Sequence, residues 1–181
     1  MLELFRDEQQ GGLFQTAHDA ERLLTRPKDF HDGALPSGNA VAALTLLKLG
    51  RLTATPAWEE EAARILTAQG AAVASIPMAH AFLLTALDFE IGPTSEIVIA
   101  GDPTAAGTPA MLRAARSRFL PRTLLVLNPP GAAGDAIRAI LPQIAGQAML
   151  KGQPTAYVCE HFACRAPVTD PKEFERQLDG L

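Results

Sequence analysis

Apolar and polar positions change rhythm twice along this chain, and the three stretches predict different kinds of structure. From Asn39 to Leu49 the residues Val41, Leu44 and Leu47 recur at helical spacing. Ser37 precedes them as a plausible N-cap, and Gly50 reads as the stop. Thr55-Pro56 restarts the chain with a cap and a proline at the first helical position. Trp58, Ala62, Ile65, Leu66 and Gln69 then mark one face, and Glu59-Glu60-Glu61 reads as a solvated run near the positive helix end. Pro77 opens a third helix over residues 78–87 with little polar surface. A helix apolar all round must be buried on nearly all sides, so this part calls for further helices beside it.

Beyond residue 93 short β-branched runs appear. Residues 96–100, 123–127 and 155–159 read as strands. Between them lie helices over about 104–118, with Thr104 as cap, and about 135–145. Asp170-Pro171 caps a last helix reaching Leu178. Strands alternating with helices predict parallel pairing through right-handed crossovers. Residues 1–37 read as irregular. Gly11-Gly12 breaks the start, Leu13 to Thr16 could form a short strand, and a polar connection dense in ionisable groups follows. A loop of that length in a compact domain is often functional.

Composition narrows the class. The chain has 181 residues, is 48% hydrophobic and 20% charged, and carries a net charge of −4. Those values fit an ordinary globular protein and give no diffuse basic field for nucleic acid or anionic lipid. No apolar run reaches the roughly 18 residues of a spanning helix, and acids stand too early for a secretory signal. A cytoplasmic protein without membrane or nucleic-acid partners is the expectation. Two cysteines do not make a disulfide scaffold.

Three blocks in order carry a resemblance. Gly11-Gly12-Leu13-Phe14-Gln15-Thr16 leads to Leu23-Leu24-Thr25-Arg26-Pro27-Lys28-Asp29, and residues Asp32-Gly33-Ala34-Leu35-Pro36-Ser37-Gly38-Asn39 open a helix. Tyr157-Val158-Cys159-Glu160 and Cys164-Arg165-Ala166-Pro167-Val168-Thr169-Asp170 come near the end. The chain resembles the C-terminal part of the YyaL/spermatogenesis-associated protein 20 family over essentially its whole length. The resemblance implies an N-terminal thioredoxin-like domain and an α/α toroid like those of six-hairpin glycosidases and sugar epimerases, most of which this chain would lack. It departs from the family pattern at His161, where asparagine is expected. The resulting fold class is α+β: toroid-type helical hairpins over 1–93, then a small three-stranded, mostly parallel α/β element over 94–181. The missing toroid and thioredoxin region, or a second copy, is the expected partner.

In a toroid, polar connections line the mouth where sugars bind. Sugar chemistry needs carboxylates for proton transfer, with amides and cations for hydroxyl recognition. Asp32 and Asp19 are the candidate acid and base, and Arg26, Lys28, Ser37 and Asn39 the candidate substrate contacts. The alternative is structural: Ser37 caps a helix, Asp32 pairs with Arg26 or Lys28, and His18 and His31 lie on the surface or pack. On either reading the chain alone holds no complete active site.

Cys159 and Cys164, with His161 between them, could form a dithiol or disulfide, or simply pack as small apolar residues. Zinc would want a fourth ligand, and a redox motif usually has two residues between its cysteines rather than four. No metal and no cofactor is assigned. The loop Gly101-Asp102-Pro103-Thr104-Ala105-Ala106-Gly107 has neither dinucleotide glycine spacing nor a P-loop lysine, and reads as a turn. Three classes of function remain: part of a sugar-processing cleft, a redox-linked module on Cys159 and Cys164, or a structural and dimerisation segment.

Overall fold

The first long helix runs through Gly50 rather than stopping there. The computed structural model describes residues 1–21, 24–160 and 163–181. Two compact units divide it, Met1–Ile91 and Gly92–Leu181. In the first, a turn of helix α1 (Leu2–Phe5) is followed by irregular chain, then by α2 (Gly38–Thr53), which Ala54 ends in a left-handed conformation at φ 51°. Gly50 permits close approach instead: a Cβ there would lie 2.5 Å from Glu59 Cγ on α3 (Pro56–Ala68). Proline does begin α3, but the Thr55 side chain makes no capping bond. Its hydroxyl accepts from Thr53 Oγ1 at 2.9 Å.

The buried face of α3 includes Glu61 with Ala62 and Ile65. Glu61, expected in solvent, is 5% exposed, and its Oε2 lies 3.6 Å from Arg6 Nη1. The helical spacing of 61, 62 and 65 puts the carboxylate on the same side as the apolar residues. A short helix α4 (Gly70–Ser75), a 3-10 turn (Pro77–His80) and α5 (Ala81–Ile91) complete the unit. Helix α2 packs on α3 and α5. Small residues such as Ala43, Ala62 and Ala86 let Leu46, Leu47, Ile65, Leu83 and Phe89 fill the space between them. Trp58 and Phe82 are half-buried. Leu13, expected to start a strand, makes only a single antiparallel bridge with Arg6.

The second unit is a mixed sheet with helices. It runs β1 (Ser95–Ala100), α6 (Gly107–Arg116), β2 (Thr123–Asn128), α7 (Gly131–Ile140), a 3-10 turn (Pro142–Ile144), β3 (Thr155–Glu160), β4 (Ala163–Cys164) and α8 (Pro171–Leu178). The strand order is β2-β1-β3-β4. Among the described residues only β1 and β2 run parallel; β3 is antiparallel to β1, and β4 to β3. The expected three mostly parallel strands are thus four in a mixed sheet.

Connections explain the difference. Helix α6 returns the chain to the start of β1, where Ser95 pairs with Thr123. After α7 the chain does not return. It turns at Lys151 (φ 52°) and Gly152 (φ 73°) and enters β3 at the far end of β1, where Ala100 pairs with Thr155. Alternation of strand and helix says nothing of which end the chain re-enters.

Register puts Ile97 beside Leu125 and Val158, and Ile99 beside Leu127 and Ala156. With successive residues facing opposite ways, these six share one face. They pack with Met111, Ala114 and Ala115 of α6 and with Phe174 and Leu178 of α8. Thr104, expected as a helix cap, instead donates through its amide and hydroxyl to Asp102 Oδ1, so α6 begins later. Asp170 does cap α8, accepting from the Lys172 amide at 2.7 Å. Among the described residues no helix is long and apolar enough to cross a membrane.

Two glycines of α2 should respond oppositely to alanine. Gly50→Ala overpacks the α2–α3 contact and should cost about 1–3 kcal/mol. Gly38→Ala, with nothing within 4 Å of the added carbon, should stabilise by up to about 1 kcal/mol. Urea unfolding midpoints at a common m-value measure both.

Candidate functional site

The polar segment before α2 is held by side chains that its own sequence supplies. Asn39, one position into the first turn, is 3% exposed. Its Oδ1 accepts from the Leu13 amide at 2.6 Å, and its Nδ2 donates to the carbonyls of Leu13 at 2.9 Å and Asp29 at 2.8 Å. One side-chain amide thereby partners three backbone groups from two separate stretches of the segment. Ser37 Oγ accepts from the Ala40 amide at 3.2 Å and caps α2.

Asp32 acts the same way over a longer span. Its Oδ1 accepts from the Ser37 amide at 2.7 Å. Its Oδ2 accepts from the Phe82 and Leu83 amides at 2.8 and 3.0 Å, so it partners free amides in the first turn of α5. Burial pushes this carboxyl up, but the Ser37, Leu83 and Phe82 amides outweigh it and hold the carboxyl below its ordinary range. A carboxylate kept ionised with both oxygens engaged is suited to bracing rather than to donating a proton. Asp19 is exposed, and among the described residues no hydrogen bond or ion pair joins it to Asp32, Arg26 or Asn39.

The cations lie around Phe14. The Arg26 guanidinium stacks 4.1 Å from the ring centroid and donates to the Thr16 carbonyl at 2.7 Å. Lys28 Nζ sits 5.5 Å from the same centroid and donates to Asp7 Oδ2 at 2.7 Å and the Gly11 carbonyl at 2.9 Å. The sequence offers no signal for Asp7 beyond its place before Gly11-Gly12. The hydrogen bond from Lys28 and the Gln10 and Gln9 amides overcome partial burial and pull its pKa down to about 2. Both glycines are left-handed, at φ 74° and 81°, which turns the chain back so that Asp7 N–H reaches the Gly12 carbonyl at 2.9 Å.

An open cleft of about 410 Å³ is lined by Phe14, Asp29 and Asn39, with Met1, Phe5, Leu13, Gln15 and Gly38. Of the residues singled out for substrate, Asn39 lines it, and Arg26 and Lys28 reach it only through the Phe14 ring. Asp19, Asp32 and Ser37 do not line it. His18 and His31 are exposed. Among the described residues the buried histidine is His80, whose Nδ1 lies 2.9 Å from the Phe30 carbonyl.

In the second unit Cys159 and Cys164 are directly opposed on β3 and β4 and joined as a disulfide. The pairing of neighbouring antiparallel strands brings the two Cα atoms to 3.9 Å. Cys159 is buried and Cys164 exposed. The loop after β1 is a plain turn closed by Asp102. Arg22, Leu23, His161 and Phe162, which include part of the family blocks and the departure at 161, lie outside the described residues. Among the described residues no three His, Cys, Asp or Glu side chains gather as a metal would need.

Two measurements test the bracing. Asn39→Ala leaves three backbone groups without partners and should cost about 2–4 kcal/mol in chemical denaturation. Asp7 has a folded pKa of about 2 against its ordinary 3.8. Its contribution is therefore fully present above the higher value and lost as pH falls toward the lower. Stability measured across that window should decline in the native chain, and less steeply in Lys28→Met.

No protein-family model matches the chain. Spermatogenesis-associated protein 20 of Homo sapiens is 36% identical over 176 residues, which is 97% of this chain and 22% of that protein. The Rattus norvegicus protein of the same name is 34% identical over the same shares, and that of Mus musculus 33%. The chain spans only 22% of the length of these relatives. Near-complete coverage at that identity, in three species, places the chain in the spermatogenesis-associated protein 20 family, consistent with a C-terminal part of it.

Proposed function

We propose that this chain is the closing helical segment and accessory α/β element of a larger family protein, and that its role is to pack against helices encoded in the remainder. One observation carries this reading. Helix α4, Gly70-Ala71-Ala72-Val73-Ala74-Ser75, has no buried residue and no charged face. A short helix of that composition gains little in water, because helix stability in proteins comes mainly from a packed face. Beside it an apolar groove of about 410 Å³ is lined by Leu66, Val73, Leu83, Leu84 and Leu87. Ile76 and Met78, in the next turn, are 60% and 90% exposed.

The coverage of 22% of the relatives' length supports an occupant from the same family: an apolar helix of the toroid type that the resemblance implies. A sugar-processing cleft would then be completed by that remainder, with Asp19, Arg26 and Lys28 on this side of it and Asp32, Ser37 and Asn39 bracing the segment that carries them. A second reading is favoured by the bridged pair Cys159–Cys164, one residue buried and one exposed: a thiol–disulfide element.

Co-expression with the part of the human relative outside the matched residues tests the packing. A stable complex should form, and amides of residues 66–87 should gain protection from hydrogen exchange within it. Val73→Asp should weaken the complex at least about tenfold, since it buries an unpaired charge, while leaving the unfolding midpoint of the isolated chain unchanged. A lone monomer with no affinity and unaltered exchange overturns the reading; a homodimer protected over the same residues replaces the occupant with a second copy.

A further inference from the structure

The surroundings of the disulfide differ on its two sides. Cys159 Sγ belongs to a residue 4% exposed in the central part of the sheet, whereas Cys164 lies on the two-residue edge strand and is exposed. Gln147 reaches over both: its Nε2 lies 3.5 Å from Cys159 Sγ and 3.6 Å from Cys164 Sγ. The other end of that amide, Oε1, is buried and has no hydrogen-bond partner among the described residues. A buried carbonyl oxygen without a donor is costly, and a disulfide has no hydrogen to offer it. A thiol does. Nε2 is thus a donor placed at both sulfurs and suited to one that gains negative charge, and turning the side-chain amide end for end would present Oε1 to that sulfur once it is protonated.

We propose that Cys159–Cys164 is a reducible two-electron site for a dithiol, entered at Cys164 and received by Gln147. It rests on the reading of the pair as a thiol–disulfide element. A thiolate of the dithiol attacks Cys164 Sγ and forms a mixed disulfide. The Cys159–Cys164 bond breaks, and its electron pair leaves on Cys159 Sγ, beside Gln147 Nε2. The second thiol of the partner then displaces Cys164. The partner ends as a disulfide, oxidised by two electrons, and its two protons end on the cysteines. The Cys159 thiol donates to Gln147 Oε1 after the side-chain amide has turned end for end.

The edge strand keeps its place through this cycle. The Arg165 amide donates to the Val158 carbonyl at 2.9 Å, and Ala156 and Val168 exchange both backbone bonds at 2.8 and 3.1 Å. Arg165 also donates to Glu160 Oε2 and to the Gln177 and Gly180 carbonyls. None of these bonds involves sulfur.

The probe is dithiothreitol acting on the folded full chain, with iodoacetamide and mass spectrometry counting free thiols. Native protein should release both thiols without loss of its circular dichroism. Gln147→Met should slow the release about threefold to tenfold, the effect of one lost hydrogen bond at the leaving sulfur. Quenching a reaction with a monothiol, 2-mercaptoethanol, locates the entry point, and the adduct should sit on Cys164 with Cys159 alkylated. An adduct on Cys159, or an unchanged rate in Gln147→Met, overturns the proposed route while leaving a reducible pair. A pair that resists excess dithiol until the chain unfolds overturns both the route and the thiol–disulfide reading.

Discussion

A long irregular stretch can lie against a helical core only if its buried amides and carbonyls find partners. In the first unit a few polar side chains meet that condition. Asn39 ties Leu13 and Asp29 together, Asp32 ties the Ser37 turn to the start of α5, and Lys28 ties Asp7 to the Gly11 turn. Arg64 on α3 adds bonds to the Asp7 and Glu8 carbonyls. With these in place Leu13 and Phe30 are buried. The helices supply the hydrophobic wall, and the polar side chains make the segment compatible with it.

That arrangement explains what could be read from residues alone. Helix starts at Pro56 and Pro171 and the strands at 95–100, 123–128 and 155–160 were legible, because proline geometry and β-branched runs act locally. The residue types at Asp32 and Asn39 suit sugar chemistry, and in the structure both side chains engage backbone groups. A carboxylate that can orient a sugar hydroxyl can equally accept two amides, and nothing in composition or spacing separates the two uses. Glu61 reads like its neighbours, Glu59 and Glu60, although helical rotation carries it inward.

Other features depend on contacts between distant positions. Gly50 looked like a terminator because its other use, admitting Glu59 from α3, requires knowing which helix lies beside it. The direction of β3 depends on a connection with two left-handed residues, Lys151 and Gly152, one of which carries no signal for that conformation. The junction of Cys159 with Cys164 follows from β4, a strand of two residues, too short to show any periodicity.

The carboxylate of Asp32 also sets an order of events during synthesis. Its partners at Phe82 and Leu83 are 50 and 51 residues further along. A ribosome moving at about 5–20 residues per second needs roughly 3–10 s to make that interval. Asp32 is therefore made that long before the first turn of α5, and until then its Oδ2 has no α5 amide to accept from. The polar latch of the segment closes only after the helix it fastens to has been made.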